Sequence, residues 1–142
     1  MDFAAWARGH LADPVPDDRV ILFVPSHDSE ANPLPDQDQW ADASLQLMSH
    51  LFGGVTGFLK MIGGWKDATG RVHRDEPIMM QILVQRERLD RVEVLEEFAG
   101  FCRRMRVALR QKAVACVIND RLYLFEEVSP RVRETLRRIL RR

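Results

Sequence analysis

Cysteine is scarce in this sequence: Cys102 and Cys116 are the only two among 142 residues, too few for a disulfide framework. Long apolar runs are missing as well, and none reaches the roughly 18 residues a membrane-crossing helix needs. The opening Met1-Asp2-Phe3-Ala4-Ala5-Trp6 lacks the basic start and apolar stretch of a secretory leader. These absences predict a cytoplasmic protein with reduced thiols. An excess of one charge sign is also absent, since 21 basic residues balance 21 acidic ones. With 46% hydrophobic residues, that balance excludes a disordered polyelectrolyte. The length suits one domain with one core. No internal repeat or low-complexity tract interrupts it.

What is present is unevenly spread. Residues 1–50 hold nine acids and two bases, and residues 101–142 hold four acids and twelve bases. Such a gradient predicts either a partner or a self-contact that joins the two ends, or two solvated ends whose charge only aids solubility.

Hydrophobic spacing divides the chain into elements. Phe3, Trp6, Ala7, His10 and Leu11 recur at helical intervals, and the run from Asp13 to Asp18, with Pro14 and Pro16, ends that helix. Val20 to Val24 is an unbroken apolar run closed by Pro25, which predicts a buried strand. Asp36 and Gln39 have capping-box spacing ahead of a helical stripe through Trp40, Ala43, Leu47 and Leu51, and Gly53 suits its end. Val55 to Lys66 reads as one strand with a bulge at Gly63-Gly64. Asp67 to Gly70 makes a turn, and the chain returns through Arg71–Arg74 into the strand Ile78–Val84. Asp90 and Glu93 predict a second capping box, before a stripe running from Val92 to Leu109. Ala113–Ile118 and Arg121–Phe125 predict a hairpin around Asn119-Asp120. Ser129-Pro130 opens a final helix.

The order is β-α-β-β-α-β. It predicts an α+β, ferredoxin-like fold: an antiparallel sheet with two helices on one face, plus an extra C-terminal strand and a terminal helix. The divisions are an N-terminal appendage over 1–18, the α+β domain over 19–127 and a basic C-terminal helix over 128–142.

Phe52-Gly53-Gly54-Val55-Thr56, then Gly64-Trp65, Asp67, Gly70 and Glu76, form a pattern. It resembles a group of small, mostly uncharacterised bacterial ferredoxin-like proteins. Their chains run helix, Phe-Gly-Gly-x-Thr, a Gly-x-Trp strand, an Asp-to-Gly turn and an acidic return strand. The resemblance spans about Val20 to Phe125 and implies the fold; it carries no activity with it.

Candidate chemistry is thin in the linear sequence. His73 and Glu76 are a candidate acid–base pair, and His73, Asp75 and Glu76 with Asp67 lack a second histidine to complete a metal site. No metal and no cofactor is therefore expected. Gly53-Gly54-x-x-Gly57 leads to a strand with no Lys-Ser/Thr, unlike a phosphate loop. Ser26-His27-Asp28 joins three triad residue types, but adjacent side chains do not point at one another. Trp65 reads either as a core cover or as a partner contact. At the C-terminus, Arg133, Arg137, Arg138 and Arg141 surround a stripe that includes Leu136, so this helix is expected to dock through Leu136 and present a basic face.

The leading functional expectation is a non-catalytic accessory subunit of a homo- or hetero-oligomer. It would bind partner protein through the Arg-rich helix, Trp65 and an apolar sheet face supplied by Met79, Leu83, Leu59 and Met61. A second expectation is nucleic-acid association through the basic helix. A third is a small enzyme, its pocket between the sheet and Gly53–Gly57, with His73 and Glu76 as acid and base.

Overall fold

The computed structural model describes residues 1–11, 17–59, 61–126 and 138. Strand β1 (Asp17–Val24) lies at the centre of the sheet, as its continuous apolar composition requires. It pairs antiparallel with β5 (Ile78–Gln85) on one side and β6 (Ala113–Ile118) on the other. Strand β2 (Thr56–Phe58) extends the sheet beyond β5, and β7 (Arg121–Glu126) extends it beyond β6, giving the order β2-β5-β1-β6-β7 with every pairing antiparallel. Val20, Leu22, Val24, Ile78, Met80, Ile82, Val84, Val114 and Cys116 point to one face and are buried. Two long helices cover that face: α2 (Gln37–Phe52) and α4 (Val92–Ala108). Phe52 meets Phe98 edge-on, Phe98 meets Phe125, and Trp40 meets Phe101. These rings lock both helices to each other and to the sheet.

Two further helices are short. In α1 (Phe3–His10), Asp2 caps the start by accepting from the backbone N–H groups of Ala4 and Ala5. The other, α3 (Arg86–Leu89), follows β5 directly. Among the described residues, no helix is long and apolar enough to cross a membrane.

The expected mixed α+β class is correct, but three local expectations are revised. Val55 to Lys66 is not one bulged strand. The ladder stops after Phe58, and β3 (Gly63–Lys66) pairs with β4 (Val72–Asp75) in a separate two-stranded sheet. Glycines at 63 and 64 and proline at 77 weaken continuation into the main ladder. Asp36 occupies the cap position of α2, but its side chain makes no capping bond. Asp90 is not a cap at all: Arg91 is, and Glu93 instead pairs with the Arg91 guanidinium at 2.9 Å. By contrast, the αL ending at Gly53 is present, with φ +90°. Asn119 and Asp120 both have positive φ, as a two-residue hairpin of the I′ type requires.

The sheet face away from the helices exposes Leu83, and Leu59 and Met61 are exposed beyond β2; Met79 is half-buried. Arg133, Leu136, Arg137 and Arg141, and with them the predicted basic helix, lie outside the described residues. Arg138 is helical and exposed.

Candidate active site

The register of the central pair builds a site that the linear sequence hides. Val24 lies opposite Ile78, and continuing that register by two residues sets Ser26 against Glu76. The end of β1 therefore meets the β4–β5 connection. Ser26 Oγ donates its proton to Asp75 Oδ1, and the Ser26 backbone N–H donates to the same oxygen at 3.1 Å. The Glu76 backbone N–H donates to Ser26 Oγ at 2.8 Å and also lies 3.0 Å from Asp75 Oδ1. His27 Nδ1 is 2.7 Å from Ser26 Oγ. Since the hydroxyl proton is spent on the carboxylate, Nδ1 must carry a proton and donate it. In the neutral ring that leaves Nε2 as the basic nitrogen.

Three triad residue types thus do converge, with Asp75 rather than Asp28 as the acid. They are wired differently from a nucleophilic triad. Both acceptor positions of the Ser26 oxygen are filled, by Glu76 N–H and by His27 Nδ1–H, so no lone pair is left to attack a substrate. Ser26 is a positioning residue. Two glutamines brace the junction from either side. Gln37 Nε2 donates to the carbonyls of Val24 (3.2 Å) and Glu76 (3.0 Å), and Gln111 Nε2 donates to those of His27 (2.7 Å) and Leu109 (2.9 Å).

Asp28 serves the loop instead. Its Oδ1 accepts from the backbone of Glu30 and Asn32, and its Oδ2 accepts from Arg110 Nε at 3.3 Å. The Asn32 N–H first, then the other donors, hold its carboxyl below the ordinary range.

A cavity of about 200 Å³ opens at this junction, lined by His27, Trp65, Asp75, Gln111 and Lys112 among others. It adjoins a larger one of about 590 Å³ through Ser29, Gln111, Lys112 and Ala113. Trp65 and His73 face each other across the β3–β4 ladder and stack at 4.3 Å, 21° from parallel. His73 Nε2 lies 2.7 Å from Asp67 Oδ2, while Asp67 Oδ1 accepts from the Thr69 hydroxyl and the backbone of Thr69 and Arg71. The column Asp67–His73–Trp65 fixes the indole over the cavity.

Of the acid–base pair expected from sequence, His73 is committed to Asp67, and the Glu76 carboxylate is 3.4 Å from Arg74. Neither is a described lining residue of the cavity beside Gly53–Gly54. Among the described residues, no three His, Cys, Asp or Glu side chains converge as a metal site would. Sequence reasoning missed the pairing of Ser26 and His27 with Asp75, and it missed Gln111 and Lys112. The signal for the first was the strand register alone; for the glutamine and lysine there was none.

The Asp67 carboxylate has a measurable consequence. The Thr69 hydroxyl first and His73 second hold it far below the usual carboxylate range. A carboxyl depressed in the folded state stabilises that state above its unfolded pKa of about 3.9, and the contribution is lost as pH falls through the folded value. The hairpin amides of Thr69 and Arg71 are expected to keep their NMR shifts from neutrality to about pH 4 and to move only below it. A transition centred well above pH 4 would contradict the assignment to Asp67.

Cys102 and Cys116 are fully buried. Burial raises both thiols, Cys116 to about 12 and Cys102 further. Ellman's reagent at pH 8 is expected to find no reactive thiol in the folded protein and two after denaturation. A thiol that reacts before unfolding would contradict this packing.

No protein-family model and no curated protein matches the sequence. Among solved structures, the chain is similar to a phage SAM lyase, seen both in the apo state and in complex with S-methyl-5'-thioadenosine. Each match has 11% identity and a TM-score of 0.56, and covers 80% of this chain and 94% of the lyase. At that identity the two share a fold. The finding overturns the expectation of a non-catalytic accessory subunit, because the protein that shares this architecture is an enzyme. The Ser26–Asp75 pairing joins residues 49 apart, beyond the reach of a search among neighbours in sequence.

Proposed function

We propose that this chain is a lyase acting on a sulfonium nucleoside of the SAM class at the Ser26–His27–Asp75 junction. The observation that carries the reading is the fold shared with the phage SAM lyase over nearly all of that enzyme. The chemistry of the cavity supports it. A sulfonium cation suits the indole face of Trp65 and the carboxylate of Asp75. Lys112 suits the substrate's carboxylate. The cavity at the junction is about 200 Å³ and shares Ser29, Gln111, Lys112 and Ala113 with a neighbour of about 590 Å³, which offers room for the rest of the nucleoside. The strand order β2-β5-β1-β6 with both helices on one face supports reading the fold as ferredoxin-like, with the β3–β4 hairpin inserted and β7 added. The two unpaired, buried thiols suit a reducing compartment such as the cytoplasm.

To release S-methyl-5'-thioadenosine, the bond between sulfur and the four-carbon amino-acid chain must break. Its electron pair goes to sulfur and turns the cation into a neutral thioether. The departing chain balances either by losing a proton to a base or by closing on its own carboxylate. The positive charge fades along this path, so Trp65 and Asp75 hold the substrate more strongly than the transition state. They serve binding. Acceleration falls to a group that acts on the departing chain, and His27 Nε2 is the basic nitrogen at the cavity. We assign proton transfer to His27 rather than to His73, whose Nε2 is occupied by Asp67.

The test is incubation of the purified protein with SAM and mass spectrometry of the products. S-methyl-5'-thioadenosine is expected to accumulate, and His27→Ala to slow it by about 10²–10⁴-fold, the usual range for a lost acid–base group. A folded protein that releases no thioether from SAM overturns the reading.

A further inference from the structure

The Phe52–Thr56 segment has no role in the lyase reading, yet it carries the second well-formed chemistry of the molecule. A cavity of about 530 Å³ lies beside it, bounded by Gly53, Gly54 and Thr56 on one side, Gln81 and Leu83 on another, and Arg88. We infer that this cavity binds a small molecule bearing a single carboxylate on an apolar body, held by the Arg88 guanidinium.

The Arg88 side chain lies against a glycine. Gly53 ends α2 at φ +90°, and a Cβ there would stand 3.2 Å from Arg88 Nη1. The guanidinium therefore rests close to the bare backbone of Gly53, and a Cβ there would push its tip by a few tenths of an ångström. Arg74, Arg91 and Arg110 each have a carboxylate within 3.4 Å. Among the described residues, no carboxylate pairs with Arg88, and its guanidinium makes no hydrogen bond to them. On the following helix, Glu93 is taken by Arg91. The exposed Arg88 side chain stands at the mouth of this cavity, and its planar donor fork can take a carboxylate side-on with two hydrogen bonds.

Charge and size narrow the ligand. Arg88 is the one charged side chain among the described residues that line the cavity. One cation matches a carboxylate better than a doubly charged phosphate ester, which would bring an unpaired charge. The volume far exceeds a bare anion, so the ligand has a body. Val55 and Leu83 offer it apolar wall. Thr56 and Gln81, whose side chains make no hydrogen bond among the described residues, offer it polar contacts. The residues used are separate from the Ser26 junction, so the inference does not depend on the lyase reading.

The test is an NMR titration of the ¹⁵N-labelled full chain with three probes: benzoate, benzamide and phenyl phosphate. Benzoate is expected to move the amides of Gly53, Gly54 and Thr56 and the Nε–H of Arg88, and to bind more tightly than the other two. Arg88→Gln, with the rest of the spectrum unchanged, is expected to weaken benzoate by roughly tenfold or more, the share of a charge-assisted hydrogen-bond pair. Benzoate that leaves the Gly53 segment unmoved overturns the site. So does benzamide that binds as well as benzoate, which compares two probes on the unaltered protein and needs no variant. Phenyl phosphate that binds more tightly than benzoate overturns the carboxylate assignment.

Discussion

Replacing Leu22 by alanine is expected to cost about 2–5 kcal/mol of folding stability, as large-to-small changes in packed cores do. Leu22 is fully buried on the central strand. Its register partners are Met80 on β5 and Cys116 on β6, both buried, so the hole would open between three strands and the helices above them. Domains of this size are stable by only about 5–15 kcal/mol, so one such hole removes a sizeable fraction. Urea unfolding is the measurement: the midpoint should fall while the slope, which reports the surface exposed on unfolding, stays constant. Ile21→Ala is the control. It is the neighbouring residue on the opposite face, is only half-buried, and should cost distinctly less. Equal losses at both positions would mean that the outer face is packed as tightly as the inner one.

Asp75→Ala should have the largest effect on catalysis after His27 itself. The Glu76 N–H keeps Ser26 Oγ as an acceptor, and the change takes the acceptor from Ser26 N–H and Ser26 O–H. These groups are partly buried, and leaving them without an acceptor costs about 1–3 kcal/mol. The greater loss is positional. Once Ser26 is free to turn, nothing fixes the His27 ring through Nδ1, and misplacement of a reacting group by about 1 Å costs on the order of 10²-fold in kcat/KM. Asp75→Asn separates the two roles of the residue. Its amide oxygen still accepts the three bonds, so kcat should hold. The negative charge is gone, so KM for SAM should rise roughly tenfold, the equivalent of about 1.4 kcal/mol of binding. If the asparagine variant loses kcat as heavily as the alanine one, the charge takes part in the chemical step and the binding role assigned to Asp75 is wrong.

Much of the scaffold was legible because local chemistry and tertiary packing agree in it. The apolar run Val20–Val24 reads as a buried strand and the stripe from Val92 to Leu109 as a helix laid on a core, and both are so. Asn119-Asp120 made its hairpin because both residues tolerate positive φ. The failures fall where spacing alone cannot tell which of two partners a backbone group takes. Asp36 and Asp90 had the right intervals for caps, yet Glu93 went to Arg91. The break after Phe58 escaped notice because glycine pairs signal a bulge and a rupture equally well. The site itself was half seen. Ser26 and His27 were weighed against Asp28, and Asp75 was weighed with His73, but the two sets were not brought together. Their meeting depends on which residue of β5 faces Val24, a property of two paired strands that neither strand carries alone.

The separation of the β3–β4 ribbon from the main sheet sets where this protein can change. A lone two-stranded ribbon is marginally stable in water, so it depends on what holds its ends. Here Asp75 ties its last residue to Ser26, and the ribbon in turn carries Trp65 to the cavity wall. Residues on the outer side of the ribbon can therefore vary without reaching Val20, Leu22 or Met48 in the core. Each such change would shift the angle at which the indole meets its ligand. On the proposed lyase reading, substrate preference can drift through ribbon positions outside the Asp67–Thr69 turn while the core is left alone, and the ribbon is the place where diversity among related chains should concentrate.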